Sequence, residues 1–406
     1  MSNQMILLAG GEPSPTWSIS ASSYNIDEGG AVTLTITTTN VPDGTVVYLG
    51  ILAESGFNLG NDLTTDTPSG QLTINNETAS VTYYMSNDYT TEGTEQFRVG
   101  IYLPGGSSYL VISDYITVND TSVPQISFST SAVLIGGGGG GARFNGGGGA
   151  GGYGFIPSST LYTQNNYNVV IGAGGGRSYG QGPNGSSTTG FGLTVKGGGG
   201  GGQRGYNTSP GYASGQGSPS PDPAGGSGGG ASGYDTPPGA HGGTSGQYGR
   251  DGGPAFNGPG WSGSGGGGAG GSGQSHPNGG NAGPGGTGVS IPSSLGSGNV
   301  CGGGGGGNYD SDPAGSASHG GGPGWSVRSP APSAIDGDPG SGGGGGGCSE
   351  HGPGSAGGSG TIRLTHPSSI SATNPGGGLS FSQASNPSGT FTTIHSGSGT
   401  IKFVEN

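Results

Sequence analysis

Tyr167-Asn-Val-Val-Ile-Gly-Ala-Gly-Gly-Gly176 decides how the larger part of this chain is read. An apolar, strand-like fragment runs straight into glycine. The fragment lies between hexaglycine runs at Gly136–Gly141 and Gly197–Gly202, and two more runs follow at Gly302–Gly307 and Gly342–Gly347. Shorter runs stand at Gly146–Gly149 and Gly265–Gly268. Gly190-Phe-Gly-Leu-Thr-Val-Lys-Gly repeats the pattern, and Ser359-Gly-Thr-Ile-Arg-Leu-Thr closes it. A flexible Gly/Ser linker has no use for Val, Ile, Leu and Phe at these places. Collagen needs Gly at every third position, which the runs do not give.

The chain has 406 residues, of which 106 are Gly, and 87 of those fall in residues 124–365. Only 27% of residues are hydrophobic, too few for one ordinary globular core of this length. Glycine has no side chain to bury, so an ordered glycine region has to be held by backbone hydrogen bonds. The extended left-handed polyglycine II helix meets this demand. It has three residues per turn and no internal hydrogen bonds, so its N–H and C=O groups bond to neighbouring helices. Six glycines span about 19 Å at its rise. The expectation for 124–365 is a polyglycine II bundle with short strands and loops. Gly-Pro-Gly-Trp-Ser recurs at 258–262 and 322–326 and Asp-Pro-Ala-Gly at 222–225 and 312–315, an irregular spacing that argues against a fixed-period solenoid.

Residues 1–123 differ in composition. They hold 13 of the glycines, 13 acids and one base, Arg98, so nearly all of the net charge of −13 belongs to them. Such an acidic module repels nucleic acid and anionic membrane. Seven segments alternate with period two and are rich in Val, Ile, Thr and Tyr. They begin at Trp17, Ala31, Thr45, Gly70, Ala79, Glu95 and Tyr109. Seven short strands in this length predict an all-β, two-sheet sandwich over 15–123, with 1–14 as an attachment segment.

Three motifs in that sandwich point to a family. Asn25-Ile-Asp-Glu-Gly-Gly, Asn87-Asp-Tyr-Thr-Thr-Glu-Gly-Thr-Glu-Gln-Phe and Ile116-Thr-Val-Asn-Asp-Thr-Ser resemble, in order, the motifs of the Calx-β domain. The variant is similar to modules in virion proteins of marine and cyanobacterial phages. Some Calx-β domains bind Ca²⁺ through clustered carboxylates, and the resemblance implies Glu28, Asp88, Glu92 and Asp120 as candidate ligands. Asn87 and Asn119 depart from the Asp found in many binding members. Two readings therefore stand: these residues hold Ca²⁺, or they shape turns and keep the sandwich end solvated. The glycine-rich region in turn resembles glycine-rich domains of phage tail fibres, including tip adhesins of T-even-like long tail fibres. The shared features are Val-Val-Ile-Gly-Ala-Gly-Gly, repeated polyglycine with variable inserts, and a terminal Gly-Gly-Ser-Gly-Thr-Ile-Arg-Leu. That resemblance implies loops that bind a host surface glycan or an outer-membrane protein.

The inserts between glycine runs carry Tyr, Trp, Asn and Ser, the composition of binding loops. Tyr206, Tyr212, Tyr234, Tyr248, Trp261, Tyr309 and Trp325 are the candidate contacts. The alternative is that these aromatics cap the glycine lattice. Cys301 precedes one hexaglycine run and Cys348 follows another, so antiparallel packing of the two would bring them together as a disulfide. The other reading is two small buried thiols. Residues 366–406 regain β character and read as a small terminal β element.

Catalytic signatures are scarce. The six histidines form no close metal-binding pair, and Gly-x-Gly-x-x-Gly matches follow from composition alone. Asp336 and Asp338 sit in Gly/Pro-flanked turns rather than as a placed carboxylate pair. No run of 18 apolar residues exists, so membrane insertion is not expected. The start of the chain makes a poor signal peptide. The sequence thus points to a non-enzymatic virion protein made in the host cytoplasm. It would be a tail-fibre or fibre-tip adhesin attached to a fibre shaft, baseplate or neck, with a homotrimer as one assembly. The rivals are a head or neck decoration fibre and a secreted surface-coat or matrix protein.

Overall fold

A computed structural model describes residues 13–64, 70–203, 225–232, 249–254, 262–275, 280–309, 312–327, 334–349, 352–386 and 389–406. The chain divides into two units, Met1–Gln125 and Ile126–Asn406. Both are all-β. Among the described residues the one helical element is a 3₁₀ turn at Ser293–Leu295.

The first unit is a sandwich of two sheets. Strands β1 (Thr16–Ala21), β3 (Ala31–Thr39) and β6 (Thr78–Tyr84) form one sheet. β2 (Asn25–Asp27), β4 (Val46–Ala53), β5 (Gln71–Thr73), β7 (Glu95–Tyr102), β8 (Val111–Ile112) and β9 (Ile116–Asn119) form the other, with β2 parallel to β9. Alternation puts Val32, Leu34, Val81 and Tyr83 of the first sheet against Phe97, Val99 and Ile116 of the second, all buried. Each such side chain contributes about 1.5–3 kcal/mol by leaving water. The stretch from Tyr109, expected as one strand, is two. Ser113 interrupts it: its hydroxyl accepts the Val99 N–H at 3.0 Å and donates to the Asp114 carbonyl at 2.9 Å. The hydroxyl replaces a ladder bond and lets the chain bend between β8 and β9.

The second unit joins a sheet to a glycine lattice. Its strands are β10 (Ser127–Ile135), β11 (Tyr153–Tyr162), β12 (Asn166–Val170), β13 (Thr188–Gly190), β14 (Leu193–Val195), β15 (Val289–Ile291), β16 (Gly298–Val300), β17 (Thr361–His366), β18 (Ile370–Thr373), β19 (Leu379–Asn386) and β20 (Gly389–Glu405). Nine of them make one sheet in the order β11-β10-β17-β20-β12-β13-β14, with β18 and β19 also on β20. Residues 366–406, expected as a separate element, instead supply the middle of this sheet. The 17-residue β20 pairs with β12, β17, β18 and β19. Leu134, Ile362, Leu364, Ile394, Ile401 and Phe403 form the buried core there.

Glycine runs grow directly out of these strands: Ile135 ends β10 and Gly136 starts the first run. That run shows how the lattice is tied. The N–H groups of Gly136, Gly139 and Ala142 donate to the carbonyls of Gly152, Gly149 and Gly146. Those of Gly137 and Gly140 donate to Ser186 and Pro183, and those of Gly138 and Gly141 to Gly358 and Ser355. All seven bonds measure 2.8–3.0 Å. Three further segments donate back: Gly198 and Gly201 to Gly137 and Gly140, Gly175 to Gly138, and Gly345 and Cys348 to Gly139 and Ala142. The partner changes with a period of three residues, and six segments surround one. That is the arrangement expected of packed polyglycine II helices.

The same bonds fix direction. Gly137 and Gly140 accept from Gly198 and Gly201 in ascending order, Gly139 and Ala142 from Gly345 and Cys348, and Gly302 and Gly305 from Gly344 and Gly347. All four hexaglycine runs are therefore parallel. The antiparallel packing that would have joined Cys301 to Cys348 does not occur. Cys301 sits at the sheet end of its run and Cys348 at the far end of another, about 19 Å of rise apart along the runs. Disulfide geometry allows at most about 7 Å between Cα atoms. Both cysteines are free and buried. Burial pushes the Cys301 thiol far above its ordinary range and the Cys348 thiol up to about 11, so both stay protonated and unreactive at neutral pH.

Close approach explains why these positions are glycine. A Cβ on Gly139 would lie 2.2 Å from the Gly199 carbonyl oxygen, and one on Gly304 would lie 2.1 Å from that of Gly345. Gly176, at the lattice edge, has nothing within 4 Å of the same point. We expect Gly139→Ala or Gly304→Ala to destabilise the second unit by about 3 kcal/mol or more. Gly176→Ala should change stability by less than about 0.5 kcal/mol. Denaturant melts of the three full-length variants check this. Equal midpoints would remove backbone packing as the reason for glycine.

Candidate functional site

Two places gather chemistry, one in each unit. In the first unit, two Glu-Gly pairs set up an acidic end. Gly29 and Gly93 both adopt left-handed backbone, φ +72° and +88°, which lets the chain turn just after Glu28 and Glu92. The carboxylates of Glu28, Asp88 and Glu92 converge, with ligand atoms within 4.8 Å of one another. Asp62, Glu92 and Glu95 form a second, overlapping group of the same size, in which Asp62 and Glu95 are buried. The Ser122 hydroxyl links the end together, donating to the Glu28 carboxylate and lying 3.1 Å from the Asp88 carbonyl.

Asp120 has a different role from the other three sequence candidates. Its Oδ2 accepts the N–H groups of Glu92 and Gly93 at 2.9 Å, and its Oδ1 accepts that of Ser122 at 3.0 Å. The Gly93 N–H, joined by those of Ser122 and Glu92, holds this carboxyl below its usual range. Asp120 thus shapes the turn that presents Glu92. Asn119 donates to Asp27 at 2.9 Å and joins that polar frame. Asp62 and Glu95 were not among the sequence candidates. Glu95 is the last acid of the Asp-Tyr-Thr-Thr-Glu-Gly-Thr-Glu motif and was open to detection. Asp62 stands alone in sequence and reaches the site only through the fold.

The carboxylates repel one another. Burial, a hydrogen bond with Asp62, and the charges of Asp62, Glu92 and Glu28 raise Glu95 to about 7. Glu92 is solvent-exposed, yet it too shifts upward, through desolvation first and then the charges of Asp88, Asp62, Glu28 and Asp120. Five acids sharing one end, two of them resisting ionisation, are the donor set a hard divalent cation neutralises. The residues present fit Ca²⁺ by chemistry. Glu28, Asp88 and Glu92 would hold it, with Asp62 and Glu95 behind.

In the second unit the chemistry lies at the lattice end away from the sheet. Parallel runs terminate together there, and backbone bridges link Arg143 to Cys348, Ser178 to Gly354, and Asn308 to Ser262 and Ser326. Tyr179 is 69% exposed at this end. The Arg143 guanidinium lies 4.9 Å from the Phe144 ring centroid, and Phe144 and Asn145 take left-handed backbone, φ +62° and +99°. For Trp325 the second of the two sequence readings, a cap on the lattice, is the one the burial supports. It is buried with Ala334 and Cys348 and caps the lattice instead of projecting from a loop. Its N–H donates to Gly347 and its carbonyl accepts from Asn308. Tyr309, next to Asn308 in sequence, is half-buried. Tyr206, Tyr212, Tyr234, Tyr248 and Trp261 lie outside the described residues. Tyr179 was missed because it stands in a short glycine-flanked turn rather than in a long insert.

No protein-family model matches this chain. No curated protein is similar to it at a significant level. Among solved structures, one described as "Crystal structure of CBD12 from CALX1.2" aligns over 36% of this chain and 73% of its own, at 11% identity and a TM-score of 0.19. At that score the likeness carries no argument.

The raised Glu95 sets a direction for pH dependence. A carboxyl whose folded value, about 7, exceeds its unfolded value of 4.5 stabilises the fold fully below 4.5 and loses that contribution as pH rises through 7. With chelator present, the melting midpoint of the sandwich is expected to fall between those limits, and Glu95→Gln should flatten the fall. The depressed Asp120 acts in the other direction and only at lower pH, below its unfolded value of 3.8. A pH series of full-chain melts, with hydrogen exchange identifying the sandwich transition, checks it. Calcium should raise the midpoint at pH 7.5, and Glu28→Gln should abolish most of that rise.

Proposed function

We propose that this chain is a non-enzymatic virion fibre protein, a tail fibre or fibre-tip adhesin that contacts the host surface. One observation supports this above the rest. The four hexaglycine runs are parallel, so their exits gather at one lattice end, and a backbone lattice holds them there. Runs 136–142, 302–307 and 342–348 all deliver side chains to that end, and Gln203 and Ser232 follow runs that finish there. A rigid frame presenting many short loops at one end is the physical form of a recognition surface. Aromatic and hydroxyl-bearing loops suit a surface glycan or an outer-membrane protein loop. The acidic first unit would attach to other virion proteins, with Ca²⁺ stiffening its end.

Immunogold labelling of virions tests the placement. Label at the distal tip of the tail supports an adhesin, label on the head supports a decoration fibre, and unlabelled virions reject both. Recognition is tested separately with the purified full chain on host cells. Tyr179→Ala is expected to lower host-cell binding about tenfold while leaving the melting curve unchanged. Unchanged binding would remove the described lattice end from the contact surface.

A further inference from the structure

The outer face of the larger sheet in the first unit has an unusual hole. Gly50 on β4 stands directly opposite Gly100 on β7. Two bare glycines side by side leave a flat patch of backbone where two side chains would stand. The ring of Tyr109 lies on that patch. A Cβ at Gly100 would be 2.4 Å from the Tyr109 ring, and one at Gly50 would be 2.7 Å from its hydroxyl oxygen. The glycines thus fix the position of Tyr109, which stays 40% exposed.

Tyr109 does not stand alone. Tyr102 meets it edge-on, with centroids 5.8 Å apart and planes at 77°. Tyr48 stacks on the far side of Tyr102, also at 5.8 Å, with planes at 20°. A groove of about 350 Å³ opens between the rings of Tyr102 and Tyr109 and the turn that holds Gly106, Ser107 and Ser108. That volume lies within the range of small-ligand sites. The turn is tied by the Gly106 N–H on the Leu103 carbonyl at 2.9 Å. No charged side chain lines the groove, although the unit around it is strongly acidic. Ser107, Ser108 and Tyr109 are exposed and Tyr102 is half-buried, and their hydroxyls make no hydrogen bond among the described residues.

We propose that this tyrosine groove is a binding site for a neutral saccharide. A sugar ring presents apolar C–H faces and a rim of hydroxyls. The fixed aromatic rings match the faces, and the unpartnered hydroxyls match the rim. The acidic surroundings exclude anionic glycans by repulsion. A proline-rich peptide also stacks on aromatic grooves. Four hydroxyl-bearing residues lining so short a groove favour the sugar, whose rim is a row of hydrogen-bonding groups. The site depends on neither the adhesin reading nor the acidic end.

The test uses the full chain and three neutral probes, maltohexaose, cellohexaose and chitohexaose, with saturation-transfer NMR for detection and calorimetry for affinity. At least one probe is expected to bind. Tyr102→Ala should weaken that binding about tenfold, and Tyr102→Phe should stay within about threefold. Tyr109 is left intact because it fills the glycine patch. Should Tyr102→Ala fail to fold, Ser107→Arg places a bulky charge at the mouth of the groove and should weaken binding to the same degree. Absence of binding by all three probes overturns the proposal. So does binding that survives both Tyr102→Ala and Ser107→Arg, or a decaproline peptide that binds where the sugars do not. Host-cell binding plays no part in this readout, so failure here leaves the adhesin reading as it stands.

Discussion

Everything in the second unit depends on how a buried backbone amide finds a partner when no side chain is present to help. An N–H or C=O group left unpaired away from water costs about as much as a lost hydrogen bond. Helices and sheets answer this with bonds that run along the chain or to two neighbours. The runs here answer it with bonds to six neighbours, turning one third of the way round at each residue. The close approach that this requires puts a carbonyl oxygen of the next segment about where a Cβ would be. Gly148 shows it, with the Gly139 carbonyl oxygen 2.1 Å from that point. Glycine is thus required by packing, and its large entropic cost is offset by a dense set of bonds rather than by apolar burial.

The lattice leaves the sheet with a conventional task. β10, β12, β17 and β20 bury Leu134, Val169, Ile362, Ile394 and Phe403 in one core, and glycine segments adjoin the ends of β10, β12 and β17. The sheet sets the direction of the first and last segments, and hydrogen bonding propagates it. A strand that enters glycine has the same extended backbone, so the transition needs no turn. Ile135 into Gly136 and Gly360 into Thr361 are both of this kind.

Much of this was legible from sequence. Val-Val-Ile running straight into Gly-Ala-Gly-Gly-Gly implied order, and the period-two segments after Trp17 implied a sandwich. What could not be read was topology. Parallel and antiparallel runs of glycine have identical sequences, so the separation of Cys301 from Cys348 had no signal before the hydrogen bonds were seen. Trp325 was ambiguous for a related reason: an aromatic beside Gly-Pro-Gly suits a loop contact and a lattice cap alike, and only burial decides. The acidic end was half legible. Glu28, Asp88 and Glu92 follow from motifs, whereas Asp62 arrives from a loop distant in sequence. The role of Asp120 depends on where three N–H groups point.

A backbone lattice also separates stability from side-chain identity more sharply than an ordinary core does. In a packed apolar core a side-chain change is felt by its neighbours. Here the bonds run between main chains, so an exposed turn such as the one holding Tyr179 carries few packing duties, whereas Asn145 and Trp325 are buried against the lattice. The turns at 143–145 and 178–182 differ in length and composition. The cost appears at the lattice edge, where extended segments present unpaired groups as the edge strand of a sheet does. The segment at 173–177 faces 334–339 across an open groove, and the N–H groups of Gly174 and Gly176 have no partner among the described residues. Charge and proline stand at that edge: Arg177 pairs with Asp336 at 2.9 Å, and Asp338 and Pro339 follow. These are the residue types that protect sheet edges from adding another strand. Their position here implies the same hazard, a further glycine-rich segment joining the lattice, and the same means of opposing it.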